Sequence, residues 1–412
     1  MEREATDTGR GLLSPSILTS IADAIRGQNG ESTKYKPSEM APAILALEWD
    51  TGLKVRALLL EDGTLEFSYR DGGRSPLGNV VRRFEVDPAG YTSAGNRPWD
   101  SVKLQVRKAI FDSSFASAGI TNFAYWFLGF TKMAEVTGFE NLAGATDVKQ
   151  LFTSCASLET VWCSGSFDAS TITSYTSCLY GCSRLVGGTD GYVPSTTDVK
   201  SSLKVGANGV LTDPAKDTRV WLWAFLYADG GAVVQTSDSP AAGRDLLASG
   251  RICANAQYTG MGFTPWDDTN RELMTKVTLD QSLGGLAKLN MDYWFYACGA
   301  LAAVEGMGNL KTCTRMHFAF VSCTGLTTLD LRGFDPSHLK DLVYTFSGCT
   351  VLTTIWADAG FSLPSGVSGA GCFYGCSKLV GGAGTAYSSS RTTATYLRID
   401  GGTSSPGYLT AG

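Results

Sequence analysis

The chain has 412 residues, of which 34 are basic and 39 acidic, for a formal net charge of −5 with no clustering of sign. That balance leaves no basic stripe for nucleic acid, and no run of 18 apolar residues is present to cross a membrane. With 43% hydrophobic residues the chain can build two or three domains with real cores, and its 48 glycines favour short strands and turns over long helices.

Residues 1–50 read as a small helical module. Ser14-Pro15 supplies an N-cap and a first helical position, and Leu18, Ile21 and Ile25 lie on one apolar stripe that Gly27 ends. A second helix starts at Lys36-Pro37-Ser38 and turns Met40 and Ile44 towards its partner. Forty residues with two apolar stripes cannot bury a core alone, so the module either caps the next domain or attaches the chain to something else. The wording ILTSIADAIRGQ…KYKPSEMAPAI, within residues 15–47, resembles the N-terminal module of phage and prophage tail-associated proteins. That resemblance implies attachment and oligomerisation through Leu18, Ile21, Ile25, Met40 and Ile44. No secretory signal is visible at the N-terminus.

Next comes a β-hairpin, 55–60 and 65–69, turning at Asp62-Gly63, and the same element returns around Asp229-Gly230, 167 residues later. Pro98-Trp99-Asp100 and Pro265-Trp266-Asp267 share that offset, and Tyr125-Trp126-Phe127 precedes Tyr293-Trp294-Phe295 by 168. The chain therefore divides into a first module, 51–213, and a second, 214–412. Strands are expected at 83–86 and 250–253, then at 108–111 and 276–279. Leu203-Lys204-Val205 and Leu397-Arg398-Ile399 are expected to cover the open edge at each far end.

Within each module a shorter period runs. Phe130, Cys155 and Cys182 are spaced 25 and 27; Cys298, Cys323, Cys349 and Cys376 are spaced 25, 26 and 27. Each unit is too small to bury its apolar face except against its neighbours, which is the signature of a solenoid. The segment AFVSCTGLTTLDLRGF, 319–334, reads aromatic, Cys, then Leu326, Leu329 and Leu331. Seven such units, within 125–186 and 293–380, resemble the BspA-type leucine-rich repeat, with Phe130 in place of Cys and Gly138 and Gly306 at the third apolar position. The resemblance implies a mainly β fold with short helices: two tandem solenoid modules, each fronted by a hairpin. CLYGCSRLVGG, 178–188, and CFYGCSKLVGG, 372–382, are 194 apart, so the second module has gained one repeat of about 26 residues.

Six of the eleven cysteines recur once per repeat, which fits a ladder of small buried thiols better than disulfides or a metal site. His317 and His338 are the only histidines and have no repeated acid or nucleophile beside them, so the sequence supports no enzyme, cofactor or metal centre. The functional candidates are side chains that alternate outward on the strands: Thr160 and Trp162, their equivalents Thr354 and Trp356, and Asp330. Each Trp either stacks on a ligand or is covered by a neighbouring module or subunit. Two readings follow. The first is a virion tail protein of the fibre or receptor-binding type, assembled in the host cytoplasm as a homo-oligomer, that contacts other tail subunits and a host-surface protein or glycan. The second is an adhesin on the bacterial cell surface.

Overall fold

The computed structural model describes residues 54–70, 77–194, 199–266 and 270–412. The expected N-terminal helices, with Leu18, Ile21, Ile25, Met40 and Ile44, lie outside these residues, as does Asp267.

The hairpin forms where the sequence places it. Strands β1 (Lys54–Leu60) and β2 (Thr64–Arg70) pair antiparallel. Gly63 turns the chain at φ +83°, where a Cβ would stand 2.8 Å from the Gln105 carbonyl oxygen, so only glycine fits. The outer strand β3 (Val80–Glu85) starts earlier than expected. From β2 the sheet changes character. Strand β4 (Lys108–Phe111) pairs parallel with it, followed in parallel order by β5 (Glu135–Thr137), β6 (Thr160–Trp162) and β7 (Leu211–Thr212). The result is one seven-stranded sheet in which the hairpin leads directly into the repeats.

The second half repeats this plan. Strands β8 (Trp221–Tyr227), β9 (Gly231–Gln235) and β10 (Leu246–Cys253) form the antiparallel front, and β11 (Lys276–Leu279) joins β9 in parallel. Two short strands, β12 (Leu289–Asn290) and β14 (Cys313–Arg315), pair on another wall, while β13 (Ala303–Glu305) extends the main sheet. Strands β15 (Thr328–Asp330), β16 (Thr354–Ala357) and β17 (Leu409–Ala411) form a parallel three-stranded sheet. The described chain is mainly β, its helices being short 3₁₀ turns and the single α turn Val199–Ser202.

The far edges differ from expectation. Residues 203–205 and 397–399 are not strands; only Val205 and Ile399 make single bridges, to Leu211 and Leu409. The edge strands are instead β7 and β17, which lie against the last repeat strand of each half. Gly209 and Gly407 explain the displacement. A Cβ at either would collide with the carbonyl of Lys204 or Arg398, so the chain folds back tightly there and the next residues take the edge.

Opposite the strands, a second ladder ties repeat to repeat. The amides of Phe123, Tyr125, Phe127 and Gly129 donate to the carbonyls of Asp147, Lys149, Leu151 and Thr153, and those of Val148 to Ser154 donate likewise, at every second residue, to the following repeat. Alternate amides aim the same way because two residues per repeat, four apart, sit in the left-handed region. They are Tyr125 and Gly129, Gln150 and Ser154, Ser177 and Gly181, then Tyr293 and Ala297, Phe318 and Ser322, Tyr344 and Gly348, and Gly371 and Gly375. A non-glycine residue there costs about 1 kcal/mol, which one inter-repeat hydrogen bond offsets.

The cysteines belong to the same connection. The thiols of Cys155, Cys182, Cys323, Cys349 and Cys376 each donate, over 3.0–3.1 Å, to a Phe carbonyl of the preceding repeat. Phe130 stands in the first repeat of its half, where no earlier repeat offers such a carbonyl, and packs edge-on against Phe127. Phe295, Phe320, Phe346 and Phe373 stack in file at 5.3–5.7 Å, with Trp266 before them and Tyr408 set edge-on at the far end. Gly138 and Gly306 depart from the repeat pattern because their Cβ positions would lie about 2 Å from the carbonyl oxygens of Phe111 and Leu279.

All eleven cysteines are reduced and buried, and burial pushes the Cys182 and Cys349 thiols up to about 12. A thiol reagent is therefore expected to modify none in the native protein and all eleven after denaturation, as counted by absorbance. Cys349→Ala removes both a buried sulfur and its hydrogen bond, and it should cost about 2 kcal/mol in a denaturant titration.

Candidate protein-interaction site

The face bearing Thr160 and Trp162 is not open. The chain leaves β7 through Pro214–Lys216 and returns across the last repeat of the first half, so that Arg219 lies over Trp162. Its guanidinium carbon stands 5.2 Å from the Trp162 ring and 5.3 Å from that of Trp221, the first residue of β8. One Arg219 nitrogen donates to the Thr160 hydroxyl at 2.9 Å and to the Val186 carbonyl at 2.9 Å. The other two engage Asp217 as a fork, at 2.9 and 2.7 Å. Thr160 is buried, and the Arg219 side chain is only 1% exposed. Trp162 itself is half-buried beneath this segment.

This seam continues outward. Glu159, 10% exposed, accepts from Arg251 through two nitrogens and lies 3.9 Å from Arg184. Arg251 also covers the other part of Trp221, 4.6 Å from its ring. Ser183 donates to the Gly262 carbonyl at 2.8 Å, and the Thr218 amide donates to the Gly188 carbonyl at 2.8 Å. Val186 packs into the core of the second half rather than the first. Burial opposes ionisation of Asp217, yet the Arg219 hydrogen bonds outweigh it and hold its carboxyl below the usual range. None of these partners repeats with the period, so the periodicity did not reveal them.

The equivalent face of the second half has no such cover. Trp356 is 38% exposed and Thr354 half-buried. Asp330 sits beside Trp356 in the strand register and forms an exposed forked pair with Arg332. The Arg332 hydrogen bonds hold the Asp330 carboxyl below the usual range. Trp356, Thr354 and Asp330 thus do share one surface. Two side chains that the sequence reading passed over are more exposed still, Tyr180 at 61% and Tyr374 at 63%. They are equivalent, 194 residues apart, and their signal lay in the duplicated Cys-x-Tyr-Gly-Cys string itself.

One titratable cluster stands apart from this surface. Asp292 is fully buried. It accepts from Arg315 at 2.8 Å and from the His317 amide at 3.0 Å. Arg315 also pairs with Asp341 at 3.0 Å, and His317 Nδ1 lies 3.4 Å from the same carboxylate. These side chains come from three successive repeats, and the whole reads as a polar tie between them. Among the described residues no group of acids, histidines and cysteines is arranged to hold a metal ion.

No family model and no curated protein sequence matches this chain. Among solved structures, a leucine-rich repeat protein from Eubacterium ventriosum ATCC 27560 matches over 79% of this chain and 94% of that one, at 12% identity and a TM-score of 0.18. At that score the two chains do not follow one global path. Among the described residues no helix is long and apolar enough to cross a membrane.

Arg219 is only 1% exposed, and its removal leaves Asp217, the Thr160 hydroxyl and the Val186 carbonyl without their guanidinium donor. Arg219→Ala should therefore cost about 2 kcal/mol, whereas Arg332→Ala, in an exposed pair, should leave stability close to that of the parent. Chemical denaturation of both variants makes the comparison. Burial raises the Asp292 carboxyl to about 6 despite Arg315, against about 4 in an unfolded chain. The native state then binds the extra proton between those values, so this group makes stability fall as pH rises from about 4 to about 6. Asp292→Asn should flatten that slope in denaturation curves taken across the window.

Proposed function

We propose that this chain is a non-enzymatic solenoid of two tandem leucine-rich-repeat modules, 51–213 and 214–412, that works by offering surface to other macromolecules. In the reading we favour it is a phage or prophage tail component of the fibre or receptor-binding type. Residues 1–50 attach it to other tail subunits as a homo-oligomer, and the repeats meet a protein or glycan of the host envelope.

The observation that carries the surface-binding reading is the pair Tyr180 and Tyr374, each more than half exposed at the last repeat of its half. A tyrosine ring offers an apolar face with a polar tip, which suits both sugars and protein pockets. Two equal contacts on one stiff chain also bind by avidity, each raising the effective concentration of the other. The inter-repeat ladders supply the stiffness. The tail assignment draws on the N-terminal resemblance, which is a warrant of analogy.

Mass spectrometry of purified phage particles, induced from a lysogen carrying the gene, tests the assignment. Peptides of this chain should be found in the particles; their presence in the cell envelope alone would support the adhesin reading instead. Tyr180→Ala and Tyr374→Ala should each leave the thermal transition within about 0.5 kcal/mol of the parent and weaken binding of labelled protein to cells. The double variant should lose more than the product of the two single losses.

A further inference from the structure

The two halves place equivalent residues around Trp162 and Trp356, and the first of these faces shows what such a surface accepts. Trp356, Thr354 and Val380 each follow Trp162, Thr160 and Val186 by 194 residues. Thr212 and Thr410, on the edge strands, pair with the two tryptophans in the same register. In the first half Arg219 lies over this surface, leaving Trp162 half-buried and Val186 fully buried. In the second half Val380 is 42% exposed and Trp356 38% exposed, with Gly412 against one edge of the ring and Arg332 close by.

We infer that the Trp356 face is a docking site for a polypeptide segment of a partner protein that presents one arginine, laid across it as residues 213–221 lie across Trp162.

Charge favours a cation there. Asp330 and Asp358 flank Trp356 against the single cation Arg332, and Asp358 already accepts from the Gly333 amide beside it. A guanidinium over the ring gains cation–π attraction and can reach the Thr354 hydroxyl and Val380 carbonyl, the counterparts of the groups Arg219 engages. The occupant needs one arginine and not two. Glu159, which holds Arg251 at the internal seam, has Thr353 as its counterpart. The inference does not depend on whether the protein serves on a virion or on a cell.

The chain supplies its own probe. A fluorescein-labelled peptide with the sequence of residues 213–221, DPAKDTRVW, is titrated with the full-length protein at low ionic strength and followed by fluorescence polarisation. Saturable binding is expected, weakened about tenfold by Trp356→Ala or by alanine in place of the peptide's arginine. Trp356→Phe keeps packing against Gly412 and a weaker ring, so it should bind with intermediate affinity, which guards against an unfolded alanine variant. Binding that is absent, or that Trp356→Ala and Trp356→Phe leave unchanged, overturns the inference. So does binding lost through Trp162→Ala alone, since the peptide would then be invading the seam. Self-association in sedimentation that disappears with Trp356→Ala would likewise overturn it, by identifying a second copy of this chain as the occupant.

Discussion

Each repeat of about 26 residues leaves half its backbone polar groups pointing along the stack, and the whole structure depends on the next repeat receiving them. Short strands settle this on one wall by parallel pairing. On the opposite wall regular pairing is sparse, and two left-handed residues per repeat, four apart, help turn every second amide towards its neighbour. The thiol bonds to the Phe carbonyls add a third line between the two walls. Buried cysteine is often treated as a small hydrophobe, but here the site asks for a compact side chain that can also donate.

Both stacks need ends, and the two ends are handled differently. At the front, a hairpin and an added outer strand extend the parallel sheet, and Trp99 and Trp266 fill the mouth of the core, each bonded through its indole to a carbonyl of the first repeat. At the back, an edge strand closes the last repeat. In the first half that edge is then overlaid by the linker, with Arg219 held between two tryptophans, a carboxylate and two neutral oxygens. A guanidinium this deeply buried is tolerated because each of its three nitrogens donates to a neighbouring oxygen and its flat faces lie against aromatic rings.

Much of the fold was legible because it is periodic. The cysteine spacing set the repeat, the tryptophan and tyrosine strings set the duplication, and the Asp-Gly turns placed the hairpins. What stayed hidden was whatever the period does not carry. The left-handed positions hold Tyr, Gln, Ser, Phe and Ala as well as Gly, so no residue type marks them. The edge strands shifted because tight reversals at Gly209 and Gly407 depend on contacts across the loop. On the candidate surface, alternation along the strand named Thr160, Trp162, Thr354 and Trp356 as side chains of one kind. It could not say that a segment nearly sixty residues later in the chain would cover the first pair and leave the second. Asp292 was missed for a similar reason, since its partners Arg315 and the His317 amide lie one repeat away, and the Asp341 that also holds Arg315 lies two away.

The twofold ladder of amides and thiols also governs how such a molecule can change in length. An insertion of a few residues within a repeat would turn donors away from acceptors on every wall at once, whereas a whole extra repeat finds all its partners ready on both sides. The second half differs from the first by such a whole unit, as the shift in offset from 168 to 194 residues shows. Growth of this architecture is therefore quantised, and each step carries the terminal aromatic surface outward by one layer while leaving its chemistry intact.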